Sequence, residues 1–253
     1  MSEAVLDIAR SLMPHRGMRA LYVAALGSRG HGTAVPGSDH DLVAVTAMPP
    51  DAYVSLAGVP TSAGTRARGD VSVVFLDLRH AAAIAMSGNL TIHEAVRSPS
   101  VALDGHGVGA FLRDVSGMCA RPRVLASHHR TQMGRVRRAM LRRETDPPKA
   151  WVQLLREALA VRHVLATETP APLDYRTLAT ACDDPGLSAV ALRVLDRRLS
   201  GFADGPDGDD LAVAMAAHDA AWACTGLAKG TVSTPPPGLV ARVDAFLAAT
   251  LLG

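Results

Sequence analysis

The sequence is poor in aromatic residues, lysine and cysteine, and it has no long apolar run. Phe, Trp and Tyr make up 4% of 253 residues, too few to line a groove on which successive bases of a single strand could stack. With 48% hydrophobic and 20% charged residues, the chain can still bury a core, built mainly from Ala, Leu and Val. The three cysteines, Cys119, Cys182 and Cys224, are odd in number and widely spaced. That pattern fits neither a metal knuckle nor a disulfide framework, and it suits a reducing cytoplasm. Glu3 and Asp7 interrupt the first ten residues, so no secretory signal is expected there. The most apolar long stretch, Leu211 to Leu227, carries His218 and Asp219. It falls short of the roughly 20 apolar residues of a membrane span and reads as a buried core helix.

The net charge is +2, which argues against a chain that seeks polyanions with its whole surface. The basic residues are nevertheless uneven. Only Lys149 and Lys229 are lysines, and eight Arg with no Asp or Glu lie between Arg121 and Arg143. Within that block Arg135, Arg138 and Arg142 stand at i, i+3 and i+7, which places them on one helix face. Solvent is the ordinary surrounding of such a face; contact with an acceptor or a nucleic acid is the alternative. His128 and His129 are adjacent and fall on different faces, so helical spacing does not let both ligate one metal.

Apolar spacing predicts a helix near residues 4–13 and short buried strands at 20–26, 41–47 and 70–78. The stretch 49–69 is rich in Pro, Gly, Ser and Thr and reads as loop. After Arg79 the pattern is helical throughout, at about 80–87, 91–97, 108–119, 122–144, 148–167, 175–182, 187–200, 209–228 and 238–251, by the 3.6-residue period. The expected fold class is α+β, a small mixed sheet flanked by helices and followed by a mostly α-helical C-terminal region. The clearest break, Asp146-Pro147-Pro148, is expected to divide a strand-bearing domain over 1–145 from a helical domain over 146–253.

The stretch from Gly27 to Leu42, G-S-R-G-H-G-T-A-V-P-G-S-D-H-D-L, carries the chemistry. An apolar strand ends at Gly27-Ser28, where close backbone approach and free N–H groups can hold a phosphate. Asp39 and Asp41 open the next strand, and i, i+2 spacing puts both carboxylates on one face. Two such carboxylates repel unless a cation intervenes. Mg²⁺ favours carboxylate oxygens supplemented by substrate phosphates. Asp70, at the start of the following strand, can stand level with them; Asp77 falls on the opposite face near the far end. Ser28 can also cap a helix, Arg29 can contact phosphate or solvent, and Asn89 reads as a helix-capping element.

Gly27-Ser28-Arg29, Gly32, Ser38-Asp39-His40-Asp41, Asp70, Leu78-Arg79, Gly88-Asn89 and Glu94 follow in one order. This order resembles the DNA polymerase β-like nucleotidyltransferase superfamily, and within it the RNA-repair-associated polymerase β-like subgroup. Gln132, Lys149 and Arg156 fit further on, and the resemblance covers roughly residues 20 to 175. His31 stands where the subgroup usually has an aromatic, and Leu90 where it usually has Pro.

The resemblance implies transfer of an NMP group from an NTP to an acceptor hydroxyl, with release of pyrophosphate, assisted by two Mg²⁺ ions or by Mn²⁺. Asp39 and Asp41 would hold both ions, and Asp70 the acceptor-side one. Gly27, Ser28, Arg29, Ser38 and Lys149 would contact the nucleotide, ATP being one possibility. A small hydroxylated acceptor is favoured over an RNA end or a protein side chain, because aromatics are few. An inactive nucleotide- or RNA-binding module on the same fold is the alternative.

Overall fold

The computed structural model describes residues 2–56, 58–59, 62–144, 147–202, 205–224 and 235–252. The boundary expected at Asp146 and the lysine at 229 lie outside them. The chain divides into two units. One comprises Met1–Gly30, Gly37–Ala120 and Val232–Gly253, and the other His31–Pro36 and Arg121–Thr231.

The first unit is built on alternation. It opens with α1 (Glu3–Ser11), β1 (Arg19–Ala25), the single turn α2 (Gly27–Gly30) and β2 (His40–Ala47). A short 3-10 turn at Pro50–Val54 leads into β3 (Ser62–Arg68) and β4 (Val71–Asp77). Then come α3 (Leu78–Met86), α4 (Leu90–Ala95), β5 (Val101–Asp104) and α5 (Val108–Cys119). The strands form one sheet in the order β3-β4-β2-β1-β5. β2 and β4 are parallel, and the other neighbours antiparallel.

Successive side chains point to opposite faces, so each strand feeds two cores. Val23, Ala25, Leu42, Ala44, Val71, Val73 and Phe75 pack with Val5, Leu6 and Ala9 of α1. Tyr22, Ala24, Val43, Val45 and Leu76 pack with Leu78, Ala82, Ile92 and Leu112 of α3, α4 and α5. The last helix, α11 (Leu239–Leu252), joins this second core through Leu239, Val243 and Leu251. Arg242 of α11 pairs with Asp114 at 2.6 Å, and Phe246 stacks on Phe111.

The second unit consists of α6 (Pro122–Leu141), α7 (Pro147–Thr167), α8 (Tyr175–Thr180), α9 (Pro185–Leu199) and α10 (Gly208–Ala223). Its core is Val152, Leu155, Leu159, Tyr175, Leu178, Leu187, Val190 and Val194, with a smaller cluster around Met133, Leu154 and Val161. The adjacent Arg156 and Glu157 of α7 are buried. The Glu157 carboxylate accepts from Arg156 and meets His129 Nδ1 at 2.7 Å, so α6 and α7 share an internal charge network.

Three local expectations need correction. The 49–69 loop contains β3, an edge strand whose central residues are exposed; without a buried face it shows no apolar alternation. β5, within the stretch read as purely helical, is four residues long and only half-buried, too short for a period to register. α10 is not a core helix. It buries Ala214, His218 and Ala221 but leaves Leu211 and Trp222 38% and 48% exposed, and Cys224 is half-buried at its end. No described helix is long and apolar enough to cross a membrane.

Candidate active site

β1 and β2 run antiparallel with Ala25 opposite Leu42, so the end of β1 and the beginning of β2 lie side by side. Leu26 N donates to Asp41 O at 2.7 Å across this junction. Gly27 follows with φ +55°, and a Cβ there would lie 2.7 Å from Asp41 Oδ2. Only glycine meets both conditions, a left-handed backbone and contact with a carboxylate oxygen. The spacing between Gly27 and Asp41 in sequence thus becomes direct apposition in space.

Asp41 is half-buried. Its Oδ1 accepts a 2.8 Å hydrogen bond from Ser72 Oγ on β4. The parallel register places His40 beside Val71 and Asp41 beside Ser72. Asp39 and Asp70 stand two residues before Asp41 and Ser72, at the head of the same ladder, where His40 N donates to Asp70 O at 2.7 Å. Both are exposed. By alternation these residues share the sheet face covered by α3, α4 and α5, and His40 takes the face of α1. The His40 pKa is lowered by burial, then by the Arg29 charge, against the opposing pull of Asp70 and Asp39.

The three predicted carboxylates therefore occupy one end of one sheet face. They are not drawn into a closed cluster: among the described residues, no three His, Cys, Asp or Glu side chains are grouped closely enough to hold a metal ion. Asp77 is excluded as a member. It is buried at the other end of β4, caps α3 by accepting from Arg79 N at 3.0 Å, and accepts from Tyr53 OH at 2.7 Å.

The predicted nucleotide contacts divide between the units. Gly27, Ser28 and Arg29 form α2, and Ser28 and Ser38 are buried. Arg29 donates through Nη2 to Ser38 O at 2.6 Å and through Nε to Asp39 O at 3.3 Å. Its first role is thus to tie the two arms of the motif together. Lys149 lies in the first turn of α7, in the helical unit, half-buried. Asn89 caps α4, accepting from Thr91 N and Ile92 N.

Sequence reading missed Ser72, although its i+2 spacing from Asp70 carried the signal. It also missed Asp174, Tyr175 and Arg198, which touch residues 31–33 from more than 140 positions away and leave no local pattern.

A mixed five-stranded sheet with an acidic pair at one strand start and Gly-Ser at the adjoining strand end is a nucleotidyltransferase-type arrangement. The chain belongs to the RNA repair pathway DNA polymerase beta family, whose model matches residues 1–207. No curated protein matches it.

Proposed function

We propose that the protein transfers an NMP group from an NTP to an acceptor hydroxyl. The observation that carries this reading is the apposition of Gly27 to the Asp41 carboxylate, with Ser72 bracing the opposite oxygen. A glycine backbone at a strand end admits a phosphate, and a carboxylate beside it needs a cation before an anion can approach.

The donor set, Asp41 with Asp39 and Asp70 on the same face, consists of hard carboxylate oxygens and fits Mg²⁺ or Mn²⁺. When bound, such ions neutralise charge on the phosphates and favour an ionised acceptor oxygen. Asp39 and Asp41 would hold both ions and Asp70 the one on the acceptor side. The α2 turn and Ser38 would seat the triphosphate, and Arg29 holds their backbones in register. Lys149 is proposed as a further triphosphate contact. In the transfer, the acceptor oxygen forms a bond to the α-phosphorus as the bond to the bridging oxygen breaks. Pyrophosphate leaves, and the acceptor proton passes to solvent. The protein's part is orientation and charge compensation.

The test is incubation with each labelled NTP and Mg²⁺ or Mn²⁺, with and without RNA. Label should appear in pyrophosphate and in an acceptor, and Asp41→Asn should abolish both. Tight NTP binding without pyrophosphate release under any condition would reject transfer.

A second reading, RNA binding without transfer, is supported by the charge pattern of α6. In the helical unit Arg162, Arg176, Arg193 and Arg197 each pair with an aspartate. Arg135, Arg138 and Arg143 are exposed and have no carboxylate partner among the described residues. RNA binding that falls with salt and with Arg135→Ala and Arg138→Ala, in a chain that never releases pyrophosphate, would favour it.

A further inference from the structure

Residues 31–36 join α2 to the approach of β2 and form the spacer between Gly27-Ser28-Arg29 and Ser38-Asp39-His40-Asp41. They belong to the helical unit, although the residues on both sides belong to the sheet unit. Reversal of the chain is already secured at the base of this loop by the bonds from Arg29 to Ser38 O and Asp39 O. Further contacts hold the loop itself. Tyr175 N donates to His31 O at 2.9 Å. Arg198 Nε donates to Thr33 O at 3.0 Å. Gly32, with φ +71°, lies so close to Asp174 that a Cβ would stand 2.6 Å from its Oδ2. Asp174 is itself fixed, because its other oxygen caps α8 by accepting from Thr177 N and Thr177 Oγ1. Thr33 and Arg198 are both buried.

Solvating this loop would need none of these attachments, and withdrawing a guanidinium from water is costly. What they accomplish is definition. A six-residue spacer with only its base tied would sample many conformations, and a ligand gripping both arms would have to order it on binding.

We propose that Arg198 is a positioning residue. With Asp174 and Tyr175 it holds residues 31–36, and through them the chain segments that carry the phosphate cradle and the acidic pair. Nucleotide affinity is thereby made dependent on α8 and α9. The inference rests on the NTP reading above.

Full-length wild type, Arg198→Ala, Arg198→Lys and Gly32→Ala would be compared for binding of Mg²⁺ with non-hydrolysable analogues of the four NTPs. Hydrogen exchange would be followed at residues 30–38. Arg198→Ala should weaken binding about tenfold or more and speed exchange in that segment, while α9 keeps its protection. Its KM for NTP should rise more than its kcat falls. Arg198→Lys, which keeps a cationic donor, should recover part of the affinity. Gly32→Ala adds a Cβ against Asp174 without touching Arg198 and should reproduce the loss. Wild-type affinity in Arg198→Ala overturns the inference. If that variant loses protection throughout the helical unit, unchanged affinity in Gly32→Ala overturns it instead. A wild-type chain that binds none of the analogues removes the NTP reading and this inference with it. The first two outcomes leave that reading standing.

Discussion

Ser72 Oγ donates a 2.8 Å hydrogen bond to Asp41 Oδ1, fixing the carboxylate on which the proposed chemistry depends. The bond exists because β2 and β4 run parallel with these two residues level. Ser72→Ala should leave the Asp41 side chain free to rotate. One lost positioning bond of about 1.4 kcal/mol corresponds to roughly tenfold in rate. Steady-state kinetics should show that loss in kcat, with thermal stability changed by no more than about 1 kcal/mol.

Gly27→Ala places a Cβ 2.7 Å from Asp41 Oδ2 on a backbone with φ +55°. Either the turn or the carboxylate must move. The variant should lose about 1 kcal/mol or more of stability and bind Mg²⁺-NTP at least tenfold more weakly. Calorimetric titration checks the binding and thermal denaturation the fold; unchanged affinity would remove Gly27 from the site.

Asp70→Asn should leave nucleotide binding nearly intact and lower turnover about a thousandfold, because several kcal/mol of transition-state stabilisation are lost with the acceptor-side ion. Asp39→Asn and Asp41→Asn should damage both. Without metal, all three variants should be as stable as wild type or slightly more so, since each removes one charge from a like-charged group. Near-normal turnover of Asp70→Asn would show that it does not serve as the third ligand.

Mg²⁺ alone should bind weakly, because the three carboxylates are not gathered into a closed cluster among the described residues and the ion's shell is completed by phosphate oxygens. Isothermal titration with and without a non-hydrolysable NTP should show tighter Mg²⁺ binding when the nucleotide is present. Equal affinities would count against a triphosphate site.

All three tyrosines are held in the neutral form. Burial, and for Tyr53 also its bond to Asp77, raises the pKa of Tyr22 and Tyr53 to about 12. Tyr175, completely buried, is raised further. Unfolded tyrosine ionises near pH 10, at about its free value. The folded state therefore holds its phenolic protons to higher pH than the unfolded state does. Their contribution to stability is fully present below about pH 10 and is lost as pH rises toward 12. Absorbance at the phenolate band should stay low above pH 10 and rise together with loss of helical circular dichroism. Tyr53→Phe should cost roughly 1 kcal/mol at neutral pH and make the alkaline transition less steep. Phenolate formation near pH 10 in a fully folded chain would contradict this.

Local chemistry made much of the molecule legible before any coordinates. The strands β1, β2 and β4 are buried on both faces, so they read as apolar runs. Most helices after Arg79 carry a 3.6-residue period or sit between proline and glycine breaks. The order Gly27-Ser28, Ser38-Asp39-His40-Asp41, Asp70 pointed to the family that matches residues 1–207. β3 and β5 escaped because an edge strand with an exposed face and a four-residue strand carry no hydrophobic period of their own.

What the sequence determined by itself is the set of chemical groups and their order: a glycine turn, an acidic pair at i and i+2, a third Asp and a long Arg helix. Tertiary structure decided which groups meet. The parallel register of β2 and β4 brought Ser72 to Asp41, and antiparallel pairing of β1 with β2 laid Gly27 against the same carboxylate. The fold also turned Asp77 into a helix cap and brought Arg198 to Thr33 across 165 positions. These contacts depend on which backbones pair and how helices pack. Such choices are set by the summed burial of many distant side chains, and no short stretch of sequence contains that sum.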